Sequence, residues 1–149
     1  MRLVVQRVSR ASVQVRREMV AGIGRGLLIL VGVGATDPVG GDEVEWLAGK
    51  VFHLRIFEDG DGKMNLALSD VGGEVLVVPQ FTLYGDASKG RRPSWIDAAP
   101  PDVARERVEA FARALEALGA PVRRGSFQEH MEVELVNDGP VTILLEGRA

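Results

Sequence analysis

The stretch Asn137-Asp138-Gly139-Pro140-Val141-Thr142 decides how the C-terminal part of this 149-residue chain is read. It lies between an alternating run, Met131 to Val136, and an apolar run, Val141 to Leu145. Two strands joined by Asn-Asp-Gly would form an ordinary hairpin. Pro140 opposes that reading, because proline has no N–H for a ladder and restricts the residue before it. Glycine followed by proline allows an unusual backbone, including a cis peptide bond. The expectation is a turn that aims bare carbonyl and amide groups at a ligand; the alternative is a plain surface turn.

Outward from this stretch the chain alternates between two periods. Leu3, Val5, Val13 and Val15 alternate with polar residues, as in half-buried strands. Met19–Ile23 and Leu27–Val33 continue the series, with Gly24-Arg25-Gly26 as the turn. Thr36-Asp37-Pro38 is a helix-start signal, and Val44, Leu47, Val51 and Leu54 follow at helical spacing. Val75–Leu83 reads as a strand in which Pro79 must sit at an edge or a bulge. Residues 87–101 read as a polar loop. Pro101 opens a second helix with Ala104, Val108, Phe111, Leu115 and Leu118 on one face, stopped by Gly119 and Pro121. Three strand-like runs finish the chain. Strands joined by short turns and two helices to cover them predict an α+β fold with a mostly antiparallel sheet.

The length suits a single domain over residues 1–149, and 46% apolar residues is a globular composition. With no cysteine the chain has neither disulfides nor a thiolate nucleophile or ligand. Met1 to Val8 carries two arginines and lacks a signal-peptide pattern, and the apolar run at Leu27 is too short to span a bilayer. A cytoplasmic protein is expected, with no membrane contact. A net charge of −3 opposes broad binding to a nucleic-acid backbone but permits a grip on one RNA end. Lys89, Arg91 and Arg92 in one loop, and Arg123 with Arg124, are the local basic groups.

Familiar chemical motifs fail on their details. Gly22, Gly24 and Gly26 do not open a helix, so a dinucleotide loop is not supported. Gly85 to Gly90 begins with P-loop spacing, but Arg91-Arg92 stands where Lys-Ser/Thr is needed. Asp59-Gly60-Asp61-Gly62 lacks the distal ligands of a calcium loop. His53 and His130 stand alone, and no serine elbow exists. No metal site or cofactor is expected. Thr82 is an isolated hydroxyl without a visible base. An enzyme built this way must rely on backbone amides, bound water and its substrate.

Gln80-Phe81-Thr82-Leu83 and Asn137-Asp138-Gly139-Pro140-Val141-Thr142 together resemble the two signature motifs of D-aminoacyl-tRNA deacylases. Gln6-Arg7-Val8, Arg10-Ala11-Ser12-Val13, Arg55-Ile56-Phe57, Gly62-Lys63-Met64-Asn65-Leu66 and Arg92-Pro93-Ser94 are similar in order and spacing, as are Gly125, Phe127, Met131 and Val133. The resemblance covers essentially the whole chain. It implies a barrel-like sheet in a homodimer acting on the 3′ end of aminoacyl-tRNA. In that reading the amides around Gln80, Phe81 and Thr82 face the scissile ester, which the tRNA's own 2′-hydroxyl helps to cleave. A cis Gly139-Pro140 reaches in from the partner subunit and excludes L-residues, and glycyl-tRNA is accepted. Arg7 braces that backbone, and Phe127 and Met131 wall the adenosine site or simply pack in the core. One departure is Pro79, where the family usually has serine; Gln128-Glu129 also replaces residues that are usually smaller. The competing class is a non-catalytic module that grips a nucleotide or RNA end.

Overall fold

A computed structural model describes residues 1–38 and 40–147. Strand β1 (Arg2–Val15) is its spine. It pairs antiparallel with β2 (Glu18–Ile23) and β3 (Gly26–Gly32) on one edge and with β8 (Glu132–Glu146) on the other. On the far side of β3 lie β6 (Glu74–Pro79) and β7 (Val122–Arg124), both added in parallel. Parallel neighbours need long crossovers. Helix α1 (Glu43–His53) lies in the first and α2 (Pro101–Ala117) in the second, and a small ribbon of β4 (Phe57–Glu58) and β5 (Met64–Leu66) follows α1. Strand β2 curls back to touch β6 and β7. The expected α+β, barrel-like sheet with two helices is therefore present, but its pairing is mixed.

Two apolar layers hold it together. Leu3, Val5, Leu27, Ile29, Val75 and Val77 meet Leu47, Val51, Phe111 and Leu115 of the helices. Val8, Val13, Ile23, Leu28, Leu76 and Val78 fill the other face inside the curled sheet. Burial on both faces explains why the run from Leu27 carries no alternation. At the start of α1, Glu43 is 5% exposed and receives the Met1 ammonium at 2.8 Å and Arg107 at 2.6 Å. Pairing of this kind is what makes a buried carboxylate tolerable.

Three expectations are corrected. Thr36-Asp37-Pro38 does not start α1; the helix begins at Glu43 behind Asp42, while the Asp37 carboxylate accepts the Gly34 N–H at 2.6 Å. Leu118 lies beyond α2 and is 41% exposed. Most consequentially, Asn137 to Thr142 is neither a hairpin nor a turn between two strands. Strand β8 runs straight through it, and both halves pair with β1. Register jumps from Gln6↔Thr142 to Val8↔Asn137, so Arg7 alone faces the segment from Asp138 to Val141. The ladder absorbs the proline as a large bulge, four residues against one, rather than by reversing direction.

Gly26 marks the tightest backbone approach. A Cβ there would lie 1.8 Å from the Glu74 carbonyl oxygen, across the β3–β6 pair. Gly26→Ala is expected to cost about 3 kcal/mol or more, the upper range of overpacking penalties. Gly60→Ala is the control, because an added Cβ there would meet nothing within 4 Å. Urea denaturation of both variants checks this: equal midpoints would show that β3 and β6 can separate without loss.

Candidate active site

A cavity of about 950 Å³ opens where β6 ends. Gln80 continues the sheet by donating its N–H to Val31 O at 2.8 Å, after which the chain tightens into a short 3-10 turn, Phe81–Tyr84. The first N–H groups of such a turn, here those of Phe81 and Thr82, have no acceptor within the turn itself. Pro79 lies beyond Val77, the last β6 residue that β7 pairs, so its missing N–H breaks no ladder bond there. Gly34 makes room for the turn, since a Cβ on it would come within 2.6 Å of the Tyr84 ring. Arg2 lies 4.5 Å from that ring and donates to Leu83 O at 3.0 Å. Burial, with the Asp37 charge adding to it, pushes the Tyr84 phenol far above its ordinary range, so it stays neutral.

Gln80 and Phe81 line the cavity together with Phe127 and Met131. Phe81 is 56% exposed and meets Trp95 edge-on at 5.2 Å. The opposite wall is braced from α2: the Arg105 guanidinium lies 4.5 Å from the Phe127 ring and donates to Gln128 Oε1 at 3.1 Å. Gln128 takes a left-handed φ of 58°, turning the chain over the cavity. The Met131 sulfur accepts the Ser126 N–H at 3.2 Å. Phe127 and Met131 are half-buried against the core and also face the cavity. Thr82 is exposed and takes a hydrogen bond from the Gln80 side-chain amide; it does not line the cavity. Among the described residues, neither a histidine nor a carboxylate bonds to its hydroxyl.

A second cluster gathers around the β8 bulge. The Gly139-Pro140 bond is cis, and Gly139 has φ 141°, where a Cβ would fall 2.9 Å from Val141 N. Arg7 is 4% exposed; its Nε donates to Asp138 O at 2.9 Å and its Nη1 to Ile56 O at 2.7 Å. The carboxylates of Asp138 and Glu58 stand 3.4 and 3.8 Å away and balance its charge. Asn137 Oδ1 accepts the Val141 N–H at 2.9 Å, replacing the ladder bond that the proline interrupts.

The candidate residues therefore form two groups. Gln80, Phe81, Phe127 and Met131 share the cavity; Arg7, Gly139 and Pro140 lie elsewhere in the same chain. Arg7 pairs Leu27 and Pro79 pairs Val31, so the two sites are separated along β3 and by three strand spacings, roughly 20 Å along the sheet. Sequence reasoning did not single out Trp95, Ile96 or Arg105. Two large apolar residues in an otherwise polar loop were the available signal for the first pair; nothing in the sequence marks Arg105. His130, isolated in the sequence, is exposed on the cavity rim. Among the described residues no group of three acidic, histidine or cysteine side chains is placed to hold a metal ion, and no helix is long and apolar enough to cross a membrane.

Comparison with known proteins agrees along the whole length. The D-aminoacyl-tRNA deacylase of Thermomicrobium roseum is 60% identical over 98% of this chain and 94% of its own. That of Heliobacterium modesticaldum is 57% identical over 99% and 97%. The solved c-Myc DNA Unwinding Element Binding Protein superposes with a TM-score of 0.92 at 39% identity, covering 100% of both chains. A family model described as D-Tyr-tRNA(Tyr) deacylase matches residues 4–146, and the chain belongs to that family.

Proposed function

We propose that this protein hydrolyses the ester of D-aminoacyl-tRNA, releasing free tRNA and the D-amino acid. Family membership carries the reading, and the cavity beside Gln80 and Phe81 supports it. An aminoacyl ester is already activated, so catalysis needs a positioned water and donors for the oxyanion. The N–H groups of Phe81 and Thr82 are suited to the second task. The 2′-hydroxyl of the terminal adenosine assists the first, which relieves the protein of supplying a general base. Phe127 and Met131 hold the adenosine.

The Gly139-Pro140 segment acts in trans within a homodimer. The separation of the two clusters inside one chain supports this, because neither alone holds the whole set of family motifs. Arg7 fixes the bulge from behind, leaving its outer backbone to meet the amino-acid portion of the substrate. An L-side chain would run into that backbone, whereas glycine has none and glycyl-tRNA is accepted. A clash of about 1–3 kcal/mol corresponds to roughly 5- to 150-fold in rate. A second reading, nucleic-acid binding without catalysis, draws on the name of the 39% identical structure. Release of a free amino acid separates the two.

Four measurements test this function. Matched D- and L-aminoacyl-tRNAs should differ by about 100-fold in kcat/KM; equal rates would remove the backbone filter. Thr82→Ala should lose less than about tenfold in kcat, far short of the roughly 10⁶-fold loss when a covalent nucleophile is deleted. A 2′-deoxy terminal adenosine should nearly abolish turnover, and an acyl-enzyme trapped on Thr82 would reverse the assignment. Finally, a Gly139→Ala variant and a Gln80→Ala/Phe81→Ala variant, each inactive alone, should regain activity when mixed, since each heterodimer restores one site. A dead mixture with demonstrated subunit exchange would place the site within one chain.

A further inference from the structure

Most cations of this acidic protein are already engaged. Arg10, Arg107 and Arg124 pair with carboxylates at 2.5–2.9 Å, and Arg55 and Arg105 donate to side-chain or backbone oxygens. Among the described residues, the basic side chains without a hydrogen-bond, ion-pair or ring partner are Arg17, Lys63, Lys89, Arg91, Arg92 and Arg123. Lys89, Arg91 and Arg92 stand out because they share one loop and are all exposed. The loop is a built element. Asp86 and Ser94 exchange both backbone hydrogen bonds, at 2.9 and 2.8 Å, and close its base. The Asp86 carboxylate is occupied by Ser88, whose hydroxyl and N–H hold it below its ordinary pKa, so it bonds within the loop instead of pairing with the neighbouring cations.

The position of the loop gives these charges a use. Its descending arm continues from Ser94 directly into Trp95 and Ile96, which line the cavity mouth. Trp95 is 44% and Ile96 80% exposed, and the Trp95 ring is steadied edge-on by Phe81 and from below by Gly85, where a Cβ would come within 2.6 Å of it. Arg92 is three residues from Trp95, a reach of at most about 10 Å. Exposed aromatic and apolar faces followed by unpaired cations are the elements that hold single-stranded nucleic acid: bases stack on the rings while phosphates meet the charges.

We propose that Trp95-Ile96 and the loop carrying Lys89, Arg91 and Arg92 grip the single-stranded RNA tail immediately 5′ of the nucleoside in the cavity. The inference rests on the deacylase reading for the identity of that RNA. It assigns affinity for the tail to a loop outside the reacting centre, and it reconciles a net charge of −3 with an RNA substrate by concentrating free positive charge at one edge of the site.

The test is direct binding of uncharged tRNA, intact or trimmed of its unpaired 3′ nucleotides. Wild-type protein should bind intact tRNA about tenfold more tightly than trimmed tRNA. Lys89→Ala/Arg91→Ala/Arg92→Ala should lose that preference, and its log Kd should rise less steeply with log salt, by about 2 for three single-strand phosphate contacts. Trp95→Ala should lower the preference without changing the salt slope. Lys63→Ala/Arg123→Ala, removing unpartnered cations elsewhere, should behave as wild type. A triple variant with an unchanged preference, or a control that loses as much, overturns the grip. Turnover of 3′-O-D-aminoacyl-adenosine by the same preparations reports separately on the catalytic reading. If the adenosine ester is cleaved but the loop has no effect, the grip alone is wrong; if the tail is gripped but no ester is cleaved, the deacylase reading is wrong.

Discussion

A proline in a strand that must pair along its length is the constraint from which the arrangement follows. Pro140 cannot donate to β1, and the carbonyl of Asp138 lies at the break. Arg7 resolves this by lying under the bulge, giving one donor to Asp138 and another to Ile56, at the start of the ribbon that follows α1. A guanidinium suits the task because its several donors are fixed in one plane. One buried side chain thereby ties β1, β8 and the α1–β4 connection together at a single point. Asp138, Gly139 and Pro140 remain exposed on the other side of this tie.

The cavity obeys a different logic. Here the sheet simply ends, and the turn after Gln80 leaves backbone donors at the edge of an apolar pocket. The pocket walls come from elements distant in sequence: the end of β6, the N-terminal part of α2 and the segment from Phe127 to Met131. Arg105 and Phe127 connect the last two. Among the described residues the pocket carries none of the side-chain sets by which hydrolases are usually recognised.

Legibility of the sequence tracked the physics of each signal. The second helix was readable almost to the residue, because Ala104, Val108, Phe111 and Leu115 repeat on one face and Pro101 sets its start. Strand positions were also readable, but period-two patterns do not name a partner, so the parallel additions of β6 and β7 were hidden. Asp37 carried a helix-start signature yet spends its carboxylate on Gly34 and the Met1 ammonium, a tertiary preference that no local rule anticipates. The bulge reads as a reversal because Asn, Asp, Gly and Pro favour turns; the apolar runs on both sides are long enough to remain one strand. Gly139 and Pro140 drew notice from the residues themselves as a stretch that presents bare backbone, whereas Gln80 and Phe81 were visible only through resemblance, since neither side chain belongs to a familiar catalytic set.

The pairing of β1 with β8 also dictates an order of events. Arg7 and the Asp138 carbonyl that it binds are 131 residues apart. The spine strand leaves the ribosome well before its longest partner, which follows both helices. Until then one edge of β1 has only unpaired backbone to present, a surface that invites association with other chains. The fold cannot be completed piecemeal during synthesis, and contacts this distant in sequence slow the search. Nascent chains of this topology therefore carry an open strand edge for longer than their modest size suggests.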